Sequence, residues 1–173
     1  MKVEIIILNF DGGQLFLNCL PSLYAAAKKS SHETRLVILD NCSTDRSDII
    51  AKERFPQIEV YYAKENRILC SYNDYLAGSE CDIAILLNND IKVDGQFVDP
   101  LVSHFHGRGD IFMVTPLCYS FDGKETLGGV TQFRMKFGIF WASSRYPGYK
   151  NDIVGIHPTM AAGYGAFHRR KFL

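Results

Sequence analysis

Asparagine and aspartate side chains follow four separate apolar runs of the sequence, and these side chains are the ones equipped for chemistry. Carboxylates accept hydrogen bonds from the neutral donors of a base or a ribose, and carboxamides orient a ligand without adding charge. The residues of this pattern are Asn9 and Asp11 after the first run, Asp40 after the second, Asn66 near the third, and Asn88, Asn89 and Asp90 after the fourth. Together they predict one polar ligand site built from several chain segments.

Each of these residues taken alone has a plain structural explanation. Asp40 could cap a turn, Asp45 could cap a helix, and Asn88-Asn89-Asp90 could form a turn that leaves a strand. The coincidence across four runs favours a binding site over four unrelated turns. At such a site the single carboxylate of Asp90 suits a hard divalent cation, which takes its remaining ligands from water and substrate phosphates.

Short apolar runs that alternate with helical patterns would position these side chains. The predicted strands are Val3–Leu8, Leu36–Leu39, Ile58–Tyr62, Ile83–Leu87 and Ile111–Val114. Helical spacing lies between them, over residues 16–27, 46–55, 69–78 and 97–105. Pro21 predicts a kink or a break in the first helix, and Asp45 is the predicted cap of the second. The alternation predicts an α/β fold with a mainly parallel sheet flanked by helices, in which ligands bind outside the carboxyl ends of the strands.

The alternation stops after about residue 115. Asp122-Gly123 predicts a hairpin turn between residues 118–121 and 125–127. Residues 128–149 are rich in aromatic residues and glycine but lack a helical or strand period, so we expect a long loop or lid over a site. Residues 159–167 predict a glycine-interrupted strand. Without internal repeats or linkers, we expect a single domain over residues 1–173.

The composition is that of a globular protein without a global electric field. Hydrophobic residues make up 47% of the chain, and nineteen basic residues balance nineteen acidic ones. A net charge of zero argues against nucleic acid as a partner, because such partners demand positive charge. No apolar run approaches the roughly 20 residues that span a bilayer. The five cysteines are odd in number and lack Cys-x-x-Cys spacing, so we expect reduced thiols in a cytoplasmic protein.

Five motifs carry a resemblance to a known family. In chain order they read VEIIILNFDGG, LVILDNCSTDRS, KENRILCSYND, IAILLNNDI and AAGYGAFHRRKF. They resemble the nucleotide-sugar-binding half of the family 2 glycosyltransferases, which have the GT-A fold. The resemblance implies a transferase that moves a sugar from a nucleoside diphosphate donor to a saccharide or lipid-linked acceptor, assisted by Mg²⁺ or Mn²⁺ and by an inverting reaction. We expect the donor to be a UDP-sugar or a dTDP-sugar.

The resemblance assigns roles to the first two motifs and to the metal. Asp40 matches the family residue that reads the nucleoside base. Leu8, Asn9 and Asp11 match residues that line the base and ribose pocket. Asp90 matches the metal ligand of the family's D-x-D-like signature.

The remaining donor-site assignments depart in part from the family pattern. Asn88 takes the place of the first Asp of the D-x-D-like signature, which lowers the charge at the metal, and Asn89 belongs to the same donor-binding motif. Asn66 lies in the third motif, where the family commonly has Asn-x-Gly and this sequence has Asn66-Arg67-Ile68. Asn73 matches a later Asn of that motif.

The resemblance also implies a catalytic base outside this sequence. In the family the base is an acidic residue shortly after the segment that AAGYGAFHRRKF resembles, so it is expected after Leu173. Residues 1–115 are then the donor-binding core, and residues 116–173 begin the acceptor-side region. We expect a cytoplasmic protein at the inner face of the membrane, with peripheral membrane association through regions outside this chain.

Two other functions remain open at this point. A sugar-phosphate nucleotidyltransferase has a similar α/β layout, but it would carry a glycine-rich loop with Arg and Lys after the first strand, and NFDGGQLF has no basic residue. A non-catalytic module that holds a nucleotide sugar would show the same donor-site pattern without the base.

Overall fold

The computed structural model of the protein describes residues 1–127, 132–143 and 164–172, which form ten strands, five α-helices and a 3-10 helix over Ile68–Cys70. The strands are β1 (Lys2–Asn9), β2 (Glu33–Asp40), β3 (Glu59–Tyr62), β4 (Ile83–Asn88), β5 (Met113–Val114), β6 (Cys118–Tyr119), β7 (Thr126–Leu127), β8 (Gln132–Lys136), β9 (Ile139–Ser143) and β10 (Gly165–His168). The helices are α1 (Gly13–Lys29), α2 (Ser47–Arg54), α3 (Ser71–Gly78), α4 (Val98–Ser103) and α5 (Arg169–Phe172).

Six of the strands form the central sheet, in the order β3-β2-β1-β4-β10-β5. β1 pairs in parallel with both β2 and β4, and β2 pairs in parallel with β3. β10 is antiparallel to both of its neighbours. The predicted α/β class with a mainly parallel sheet is therefore confirmed. The division at residue 115 stays a prediction, and β10 from the later part completes the sheet.

The central strands β1, β2 and β4 are buried on both faces, as their continuous apolar runs require. On one face, Ile5 and Ile7 pack in a core with apolar side chains of α1, α2 and α4. On the other face, Ile6 packs in a second core with Tyr72 and Leu76 of α3. Each fully buried Ile or Leu contributes about 1.5–3 kcal/mol. This three-layer packing fixes the strand ends that carry the polar residues.

Helix α1 runs without a break through Pro21, so of the two predicted outcomes, a kink or a break, the break is wrong. The core buries Phe16 and Leu20, which precede Pro21, and Leu23, which follows it. Their burial offsets the cost of the hydrogen bond that a proline removes, roughly 3 kcal/mol. The Ser22 hydroxyl also donates to the Cys19 carbonyl at 2.7 Å within this turn.

The segment after the sheet's central strands contains two hairpins. β6 and β7 pair in antiparallel fashion around Asp122-Gly123, as predicted, and the Gly123 N–H donates to the Ser120 carbonyl at 2.8 Å. β8 and β9 form a second antiparallel hairpin where the sequence predicted a loop or lid. Apolar residues occur on both faces of this hairpin, so the period of two that reveals a half-buried strand is hidden.

The predicted strand over residues 159–167 is confirmed where the structure describes it, as β10. Its earlier part lies outside the described residues. None of the described helices combines the length and the apolar character needed to cross a bilayer.

Candidate functional site

The carboxyl ends of three neighbouring strands meet at one edge of the sheet. In the register of the sheet Asn9 is opposite Asp40, and Leu8 is opposite Asn88. Since these strands are parallel, their following loops leave from the same edge. The predicted convergence of the first, second and fourth apolar runs is therefore confirmed.

Asn9 joins the three strand ends through hydrogen bonds. Its buried side-chain amide Nδ2 donates to Asp40 Oδ1 at 3.1 Å, Ser43 Oγ at 3.1 Å and Ser47 Oγ at 3.0 Å. Its Oδ1 accepts from Asn89 Nδ2 at 3.1 Å. An amide nitrogen carries two hydrogens, so these three acceptors share them. Asn9 thus holds the loops after β1, β2 and β4 together.

Asp40 is only 3% exposed at the end of β2. Its Oδ1 accepts from Asn9, and its Oδ2 accepts from the Ser43 N–H at 3.0 Å. Each carboxylate oxygen has a second lone pair, so Asp40 retains acceptor capacity for a ligand donor. The residue is an anchored, pre-oriented negative charge.

Asp11 braces the loop after β1 against the loop after β2. Its Oδ1 accepts from the Thr44 N–H at 2.6 Å, from the Thr44 hydroxyl at 3.2 Å and from the Asp45 N–H at 3.3 Å. In return, the Asp11 N–H donates to Ser43 Oγ at 3.1 Å. Asp11 is exposed, and its backbone φ is 46°, which an aspartate tolerates better than most residues.

Asp45 accepts hydrogen bonds at the N-termini of two helices. The N-cap position of α2, which the sequence predicted for Asp45, is held by Arg46. Its Oδ2 accepts from the Gly13 N–H of α1 at 2.7 Å, and its Oδ1 accepts from the Ser47 N–H of α2 at 3.0 Å. Burial alone would raise the pKa of Asp45, but the hydrogen bonds from Ser47 and Gly13 outweigh it and lower the pKa below 3.8. The carboxylate stays charged at neutral pH and complements both helix dipoles.

The loop after β3 is tied to the end of β2 through a second buried amide. Asn41 Nδ2 donates to Asn66 Oδ1 at 2.6 Å, and Asn41 Oδ1 accepts from the Ser71 hydroxyl at 2.6 Å. Asn66 Oδ1 also accepts from the Ile68 N–H at 2.9 Å. Ile68 stands where the resembling family commonly has glycine, and its φ is 55°, which is strained for a β-branched residue.

Gly12 lies where the loop after β1 passes close to the side chains of Asn9 and Asn89, and only glycine leaves room for them. A Cβ atom at this position would lie 2.5 Å from Asn89 Nδ2, 2.5 Å from Asn9 Oδ1 and 2.7 Å from Phe16 Cβ. Any side chain there would push apart the hydrogen bond between Asn9 and Asn89. The glycine therefore supports the site through close packing.

Three predicted residues at this edge have side chains that the described chain leaves unpaired. Asn73 and Asp90 are exposed, and Asn88 is half-buried. Among the described residues, none of the three side chains makes a hydrogen bond or a salt bridge. Leu8, also half-buried, packs against the core on the α3 side of the sheet. The unpaired groups are the ones available to a ligand.

The donor set at Asp90 fits a cation that keeps ligands from elsewhere. Within the described ranges, no group of three or more His, Cys, Asp or Glu side chains surrounds a common point. A lone carboxylate without a protein partner fits Mg²⁺ or Mn²⁺, which take water and phosphate oxygens as further ligands. It does not fit zinc, which takes several protein ligands.

Asn41, Ser43, Ser47 and Ser71 are site residues that the sequence pattern did not single out. Ser47 and Ser71 are the first residues of α2 and α3, and Asn41 and Ser43 follow β2 directly. Small polar residues at those places are usually explained by local turns and caps. Their role is recognisable only once the strand register brings the loops together.

Comparisons with known proteins identify the family and the fold. The model of the family "Glycosyl transferase family 2" matches residues 4–173. A crystal structure of S. aureus TarS 1–349 in complex with UDP-GlcNAc is 21% identical, has a TM-score of 0.52, and is matched over 62% of this chain and 32% of TarS 1–349. The mannosyltransferase PcManGT from Pyrobaculum calidifontis, in complex with GDP-Man and Mn²⁺, is 15% identical with a TM-score of 0.57, over 68% of this chain and 35% of that one.

The comparison with curated proteins gives no match. This chain spans about a third of the length of the solved structures it resembles. The structural likeness supports the GT-A fold, and the family model covers nearly the whole sequence. The chain with the Asn9 and Asp40 cluster at its sheet edge belongs to glycosyl transferase family 2.

Proposed function

We propose that this chain is the donor-binding part of an inverting glycosyltransferase, which transfers a sugar from a UDP-sugar or dTDP-sugar to a saccharide or lipid-linked acceptor. The proposal rests on one observation, which is that the polar residues at one edge of the sheet differ in burial and hydrogen bonding. Asn9 and Asp40 are buried and fixed by hydrogen bonds, whereas Asn73, Asn88 and Asp90 are unpaired among the described residues. Buried side chains fixed by hydrogen bonds, with unpaired polar side chains beside them, are the arrangement expected of a preformed ligand site.

Asp40 is the proposed reader of the base. The imide N–H of uracil or thymine is a donor, and the Asp40 carboxylate has spare acceptor capacity at a fixed position. A charged acceptor makes such a bond stronger than a neutral one. Leu8, Asn9 and Asp11 are proposed to line the base and ribose pocket around it, with Asn66 and Asn89 in the neighbouring loops.

Asp90 is the proposed holder of Mg²⁺ or Mn²⁺. When bound, the cation would offset the charge of the diphosphate as it leaves the sugar. Asn88 adds a neutral oxygen ligand to the same strand end, so affinity for the metal depends on phosphate oxygens supplied by the donor. TarS is bound to UDP-GlcNAc in one solved structure, and PcManGT is bound to GDP-Man and Mn²⁺ in another. These complexes support a nucleoside diphosphate sugar as the ligand class.

The catalytic base is proposed to lie after Leu173, as the family resemblance implies. Asp11, Asp40 and Asp45 at the described edge already accept two or more hydrogen bonds each from the chain. A general base needs a carboxylate with free access to the acceptor hydroxyl. These three are therefore better suited to holding the donor loops.

Calorimetric titration with UDP, dTDP and GDP in the presence of Mn²⁺ tests the proposal, with UMP as the control that lacks the second phosphate. We expect the pyrimidine diphosphates to bind and UMP to bind more weakly, because the diphosphate supplies ligands to the metal. Absence of binding by all three diphosphates would contradict a donor site. Release of pyrophosphate from UTP and a sugar 1-phosphate would instead identify a nucleotidyltransferase.

A further inference from the structure

The β8–β9 hairpin exposes large apolar side chains. The exposed fraction is 67% for Met135, 91% for Phe137, 59% for Ile139 and 64% for Trp141. Apolar side chains of this size are favoured in an apolar environment, and a group of them on a surface marks an interaction site. The hairpin thus presents a surface suited to a partner outside this chain.

The turn of the hairpin gives a second observation. Phe137 and Gly138 have φ values of 54° and 74°, the left-handed geometry of a two-residue turn that favours Asn-Gly. Phenylalanine is strained in that geometry, and here its ring is almost fully exposed. Neither turn geometry nor core packing accounts for an aromatic residue at this tip.

The charge of the hairpin and its flanking sequence, residues 126–151, indicates the chemistry of the partner. From Thr126 to Asn151 the sequence contains four basic residues and neither Asp nor Glu, although the whole chain has a net charge of zero. Lys136 is paired with Ile139, and directly paired residues share a face of a hairpin. Lys136 Nζ lies 5.4 Å from the centroid of the Phe137 ring. Aromatic and basic residues in this combination are typical of segments that lie in the headgroup region of anionic bilayers.

We propose that the β8–β9 hairpin inserts its tip into the headgroup region of an anionic lipid bilayer and docks the protein on that surface. A strand rises about 3.3 Å per residue, so Trp141 lies roughly 10 Å behind the tip. Interfacial segments enter a bilayer to a depth of about 5–10 Å, which brings Trp141 to the headgroup level that tryptophan prefers. Lys136, next to the tip, then meets lipid phosphates.

This docking surface lies inside the chain, whereas the sequence predicted membrane association through regions outside it. A second copy of the hairpin is a poorer partner, because the two would carry the same positive charge. The inference rests on the hairpin alone and does not depend on the donor site.

Trp141 is the single tryptophan of the sequence, so its fluorescence reports on this hairpin. The 173-residue chain is mixed with vesicles of phosphatidylcholine alone or of phosphatidylcholine with phosphatidylglycerol, and emission and co-sedimentation are measured. We expect a blue shift and co-sedimentation with the anionic vesicles, with weaker binding to the neutral ones. High salt should reduce binding to the anionic vesicles, because it screens the charges.

Variants separate the hairpin from the rest of the surface. Phe137→Ser should weaken binding to anionic vesicles at least about tenfold, because it removes the apolar tip. Lys136→Gln should weaken it about fivefold. Phe121→Ser is the matched control, since Phe121 is 69% exposed in the turn between β6 and β7, and it should bind like the wild type.

Two outcomes would overturn the proposal. One is an unchanged Trp141 emission with both kinds of vesicle, or equal co-sedimentation of Phe137→Ser and the wild type. The other is a blue shift that grows with protein concentration in the absence of vesicles, which would identify the hairpin as a contact between copies of the chain.

Discussion

At the scale of single residues, the site depends on side chains that fix their neighbours. Asn9 is fully buried, and its amide joins Asp40, Ser43, Ser47 and Asn89. Its place at a polar strand end was readable from the sequence, because a buried strand is followed directly by Asn. Asp40 and Asn89 were predicted for the same site, but Ser43 and Ser47 were not, because only the sheet register brings their loop next to Asn9.

Asp40→Ala should weaken binding of UDP by about 1.5–3 kcal/mol, the value of a hydrogen bond to a charged group. The sharper readout is a UDP analogue methylated at the imide nitrogen, which cannot donate. We expect the wild type to prefer UDP over this analogue and Asp40→Ala to bind both alike, measured by calorimetry. Ser47→Ala is the matched control, because it perturbs the same network but keeps the carboxylate. Equal binding of both ligands by the wild type would remove Asp40 from base recognition.

Gly12→Ala should destabilise the fold by about 1–3 kcal/mol, the usual cost of forcing extra volume into a packed region. The added methyl group would meet Asn9, Asn89 and Phe16 at once. Urea unfolding at neutral pH measures the change. Gly78→Ala is the control, since a Cβ atom there meets no atom within 4 Å. A Gly12→Ala protein as stable as the control would show that the loop moves aside without cost.

At the scale of elements, α1 and α2 begin beside one another because Asp45 accepts N–H groups from both. These hydrogen bonds fix the loop between β2 and α2, which lies beside the site. The sequence indicated that Asp45 belongs to a helix start, since Asp followed by a helical pattern is a common capping signal. The second helix it serves lies 32 residues away, and no local pattern reports such a contact.

Asp45→Asn should lower the free energy of unfolding at pH 7 by about 0.3–1 kcal/mol, the usual value of a negative charge near a helix N-terminus. Because the folded-state pKa of Asp45 is lowered, its contribution is present above the unfolded-state pKa and is lost as the pH falls through the folded-state pKa, below 3.8. Urea unfolding of both proteins at pH 7 and under strongly acidic conditions measures the difference. Glu53→Gln, exposed on α2, is the control. A difference that persists undiminished in acid would show that charge plays no part.

The strands show where sequence patterns succeed and where they fail. β1, β2 and β4 are buried on both faces, so their continuous apolar runs stand out against the polar loops. The hairpin of β8 and β9 has an aromatic, basic and apolar mixture without alternation, so its period was invisible. The loop that contains Ile68 was equally hidden, because its geometry depends on the hydrogen bonds of Asn41 and Asn66.

At the scale of the whole molecule, the family and the fold support the proposal that one edge of the sheet is the donor site. The family model covers residues 4–173, and the chain spans about a third of the solved structures that share its fold. Among the described residues at that edge, Asp90 is the proposed metal ligand and has no partner side chain, so we expect metal and donor to bind as a pair. Thermodynamic linkage then requires that each tightens the other by the same factor.

The central claim is tested most directly by calorimetric titration of UDP with and without Mn²⁺, in the wild type and in Asp90→Asn. We expect Mn²⁺ to tighten UDP binding by about 5–150-fold in the wild type and to have no effect in Asp90→Asn. Glu80→Gln removes an exposed acidic residue near the opposite edge of the sheet and should keep the full coupling. If a chelator leaves the affinity of the wild type for UDP unchanged, the metal-assisted donor site at Asp90 is contradicted.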